Sequence, residues 1–76
     1  MRERLQRAVE LYEASAAELD LAARHCRVAA DHFRAGEVPR GAAHAFAAHG
    51  HALRGRETLD EAARLHAAAS RVPEAR

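Results

Sequence analysis

A chain of 76 residues with a formal net charge of +1 allows one small domain and lacks the basic excess that nucleic-acid binding demands. All twelve basic residues are arginine and are interspersed with Asp and Glu, which reads as a solvated helix face and not a phosphate-binding surface. A single cysteine excludes an internal disulfide and a cysteine-based zinc motif; with no signal-like or membrane-spanning apolar run, a cytoplasmic protein is expected.

Twenty-one residues are alanine, good for helix formation but poor in apolar area, and the chain has no Ile or Trp. The first predicted helix runs from about 2 to 35, without Pro or Gly. An apolar stripe of Leu5, Val9, Tyr12, Ala16, Leu19, Ala23, Cys26, Ala30 and Phe33 steps through it by four and three, keeping one line on one helix face. Residues 36–41 form the predicted loop, with Gly36 suited to a left-handed cap and Pro39 opposing continuation. A second helix is predicted from about 42 to 71, followed by a tail over 72–76. So short a loop between long helices implies an antiparallel hairpin in an all-α fold.

Gly50 and Gly55 weaken the second helix, and Thr58 with Glu61 matches a capping box, so a kink or break near Gly55 is a second possibility. Ser15 with Glu18 also matches that box, but inside the continuous stripe it reads as surface sequence. Gly50, Ala62 and Ala69 resemble the small-residue spacing of a tetratricopeptide repeat, which implies a turn at Gly55 and three helices. The likeness spans barely one repeat and lacks the aromatic positions of that family.

With the turn centred on Val38, facing residue numbers sum to about 76. Cys26 then faces Gly50, Phe33 faces Ala43, His25 faces His51 and His32 faces His44. The apolar stripe is expected between the helices, so that Leu19→Ala or Phe33→Ala costs much stability, Cys26 is shielded and Gly50→Leu overpacks. A second line, containing Leu11, Ala14, Glu18, Leu21, His25, Val28, His32 and Ala35, mixes apolar and ionisable groups; His44, His51, Thr58, Leu65 and Val72 flank it on the second helix. This mixed face is expected to meet a second copy in a homodimeric four-helix bundle, with Leu11, Leu21, His25, Val28, His32 and Leu65 as interface residues. Acid should then dissociate the dimer by charging its histidines.

Six histidines are the compositional oddity, and His25, His32, His44 and His51 are the metal candidates. No two histidines lie three or four apart, and the Glu-x-x-His pattern of di-iron bundles does not occur, so no metal or other cofactor is expected. No catalytic residue is expected either: Cys26 and His25 point about 100° apart on a helix, and no glycine-rich phosphate loop is present. The function these features suggest is a small non-enzymatic helical interaction or oligomerisation module, with itself or another protein as partner. Alternatives are a histidine-based metal-binding bundle and an accessory subunit of an enzyme.

Overall fold

Uninterrupted helix-forming sequence on either side of one glycine turn yields two long helices in the computed structural model, which describes residues 2–73. Helix α1 spans Arg2–Arg34 and α2 spans Val38–Ala69, packed antiparallel as a hairpin. Its Cα extents of 61 × 28 × 13 Å describe a slab one helix layer thick.

The turn follows from Gly36, whose φ of +77° is the left-handed conformation open to glycine. Its N–H donates to the Phe33 carbonyl at 3.0 Å and the Glu37 N–H to the His32 carbonyl at 2.8 Å, closing α1 with a Schellman motif. Helix α2 starts earlier than the expected residue 42. Pro39 lies in its first turn, where a missing N–H costs no intrahelical bond, so the proline begins the helix and does not obstruct it. At the other end Ser70 leaves the helix in extended backbone and its hydroxyl donates to the His66 carbonyl. The helix therefore stops before Val72, and the tail beyond residue 73 lies outside the described residues.

Helix α2 continues through Gly50 and Gly55, so the three-helix alternative does not occur. The two glycines differ. Gly55 is buried where the helices approach, and a Cβ there would meet the Leu19 side chain at 3.1 Å. A Cβ at Gly50 would meet nothing within 4 Å. The expected Cys26–Gly50 contact is thus corrected: Gly50 is open and Cys26 is exposed. Gly50→Ala should stabilise the hairpin, by about 0.5–1 kcal/mol from helix propensity alone. A melting temperature unchanged or lowered by that substitution would contradict the open setting.

The seam that joins the helices is the reverse of the expected one. Small residues recur every seventh position, at Ala8, Ser15, Ala22 and Ala29 on α1 and at Gly41, Ala48, Gly55 and Ala62 on α2. All of these are buried except Ala8, which is half-buried. Beside them runs a second line of Leu11, Glu18, His25 and His32 on α1, facing His44, His51, Thr58 and Leu65 on α2. Of the apolar stripe, Leu19 and Phe33 lie over Gly55 and Gly41 at the edge of the seam yet stay 41% and 46% exposed, and Leu5, at 61%, faces outward. Side chains without a branch beyond Cβ let the two backbones come close, and at that distance short polar groups can bond across the seam. Ser15 shows how: its hydroxyl lies 2.5 Å from that of Thr58, one of the two donating across the seam while the other donates within its own helix, Ser15 to the Leu11 carbonyl or Thr58 to the Gly55 carbonyl.

Candidate functional site: a histidine row inside the hairpin

The polar line of the seam brings together the four histidines singled out above. In spatial order His51, His25, His44 and His32 form a row of near-parallel rings, with centroids 5.4, 5.2 and 5.4 Å apart and interplanar angles of 9°, 29° and 15°. Helices in antiparallel register place these rings alternately from α2 and α1, since each helix contributes one histidine every two turns. The expected pairings of His25 with His51 and His32 with His44 are both present.

A carboxylate closes each end of the row. Glu18 accepts from His51 Nδ1 at 2.7 Å through Oε1 and from Arg54 at 3.0 Å through Oε2. Glu37 repeats the arrangement, with His32 Nδ1 at 2.9 Å on Oε1 and Arg40 at 3.0 Å on Oε2. Each glutamate thus fixes one terminal imidazole and turns its remaining charge toward an exposed arginine. In the middle, His25 Nδ1 and His44 Nδ1 are 3.0 Å apart, so one ring donates and the other accepts. Among the described residues no buried side-chain polar atom is left without a partner.

This arrangement corrects the face assignment made from periodicity. Leu11 is buried at 4% exposure inside the hairpin, and His25, His32 and Leu65 lie on the same internal line. Leu21 and Val28 stay exposed on the flank beside His25 and His44. The signal that would have found the seam is the heptad of Ala, Ser and Gly present on both helices, which hydrophobicity alone underweights. As a metal centre the row is incomplete: among the described residues no group of three or more His, Cys, Asp or Glu side chains converges as ligands would. Only the Nδ1 atoms of His25 and His44 approach one another, at 3.0 Å, and two ligands fall short of the three or four that a zinc site takes from protein.

Among the described residues no helix is long and apolar enough to cross a membrane. No protein-family model, no curated protein and no solved structure matches this chain.

Proposed function

We propose that this chain is a small non-enzymatic helical interaction module that works through the outward apolar face of its hairpin. The observation that carries this reading is the inversion of the fold. The large apolar side chains Leu5, Val9, Tyr12 and Phe46 stand outside, the last 80% exposed, and Leu19 and Phe33 are left half out over the seam glycines. Monomers carry scattered exposed leucines, but a continuous stripe along one face marks a surface built to be covered. The histidine row serves this reading by fixing the register of the two helices, because any slip along the hairpin would separate Glu18 from His51 and His25 from His44.

Sedimentation across two decades of protein concentration provides the test. Leu19→Glu and Tyr12→Glu should abolish association while circular dichroism stays helical, and Leu21→Glu on the opposite flank should leave association intact. A wild-type chain that stays monomeric throughout, or face variants that associate as well as the parent, would overturn the reading.

A further inference from the structure

The outward face is defined by its chemistry as well as by its exposure. Heptad positions on the same side of the seam comprise the α1 stripe from Leu5 to Phe33 and, on α2, Val38, Ala42, Ala45, His49, Ala52, Arg56, Leu59, Ala63 and His66. Arg56 is the one formally charged residue among them, and it lies near Asp60 at 3.8 Å. The opposite side of the slab carries Arg24, Asp31, Arg40, Arg54, Glu57 and Arg64. A face so depleted of charge offers an acidic or basic partner little, and a flat helical layer fits another helical layer best.

We infer that the occupant of this face is a second copy of the chain, docked with its turn at the opposite end so that α1 lies antiparallel on the α1 of its twin. The inference rests on the interaction reading above and adds the partner and its orientation. Area supports a second copy. Helices about 50 Å long and about 10 Å wide give a two-helix footprint of about 1,000 Å², above the roughly 800 Å² per partner of a stable interface. A twofold axis also makes the same patch serve both copies.

Shape selects the orientation. Near the turn the face sinks into a groove of about 530 Å³ whose floor is alanine from both helices and whose walls include Cys26, Phe33 and His49. The large side chains Leu5, Val9 and Tyr12 stand at the other end of α1. Turns together would set groove on groove and leave it unfilled. Turns apart, with the axis at the middle of α1 near Glu18, pair residues whose numbers sum to about 36. Leu19 then meets Ala16, Tyr12 meets Ala23, Val9 meets Cys26 and Leu5 meets Ala30. Each of these four large side chains of one copy enters a small-residue position of the other, which is the interdigitation a bundle core requires.

Cysteine variants on the full chain decide the orientation. Nitroxide labels at Arg34→Cys and, separately, at Glu3→Cys, each with Cys26→Ala, sit at opposite ends of α1 and away from the proposed face. Turns apart place each label about 45–50 Å from its twin, by helical rise from the axis. Turns together place them within about 30 Å, given helix diameters near 10 Å. Two long distances in a species of twice the monomer mass are the expected result. Short distances, or an assembly larger than a dimer, would overturn the inference while leaving the face as an interaction surface. A monomer would overturn both. Native Cys26, freely labelled by a thiol reagent in dilute solution, should slow by at least tenfold as the dimer forms; unchanged labelling in the dimer would place the interface elsewhere.

Discussion

Leu11→Ala is expected to cost about 2–5 kcal/mol of folding stability, the range for truncating a buried leucine. Leu11 is the one large apolar side chain among the buried residues described, and its neighbours on the seam are too small to close the space it would leave. Its carbonyl is also within hydrogen-bond reach of the Ser15 hydroxyl, so disturbance there spreads to the Ser15–Thr58 contact. A loss of this size is comparable with the whole stability of a small two-helix hairpin. Leu19→Ala and Phe33→Ala, at partly exposed positions, should cost much less in dilute protein and weaken association instead. Urea denaturation of the three variants below the association concentration measures the contrast. Equal losses at Leu11 and Leu19 would contradict the assignment of the seam.

Ala48→Leu is expected to cost about 1–3 kcal/mol by overpacking. Ala48 is buried between Gly41 and Gly55 on the small-residue line of α2, and added methylenes there push the helices apart. Separation would also stretch the Glu18–His51 bond, which spans the two helices. Ala43→Leu, one turn away on the exposed surface, should change stability by no more than about 0.5 kcal/mol. Thermal melts of both variants, read with the ring-proton shifts of the histidines, would show whether the row moves with the helices. A silent Ala48→Leu would mean that the seam is loose.

Local chemistry was legible in the chain itself. The long helices follow from alanine-rich sequence with few breakers, and the antiparallel turn from Gly36, whose left-handed backbone needs no tertiary support. Register was legible too, because a short turn ties the two helices together: the pairs His25–His51 and His32–His44 follow from counting outward from it. Gly55 shows where local reading stops. Propensity marks it as a weak point in a helix, yet it is retained inside α2 because the absence of a Cβ admits Leu19.

Which face turns inward was decided only by the tertiary structure. Both α1 lines repeat with heptad spacing, and hydrophobicity favours the one with Leu5, Val9, Tyr12, Leu19 and Phe33. A two-helix layer has a single internal seam, however, and Leu19 and Phe33 reach only its edge, where Gly55 and Gly41 leave them room. The seam of Ala, Ser and Gly permits close approach of the backbones, and the histidines and glutamates beside it satisfy one another when it forms. Periodicity records that a helix has two usable faces; distance between backbones determines which face the hairpin itself occupies and which it leaves outside.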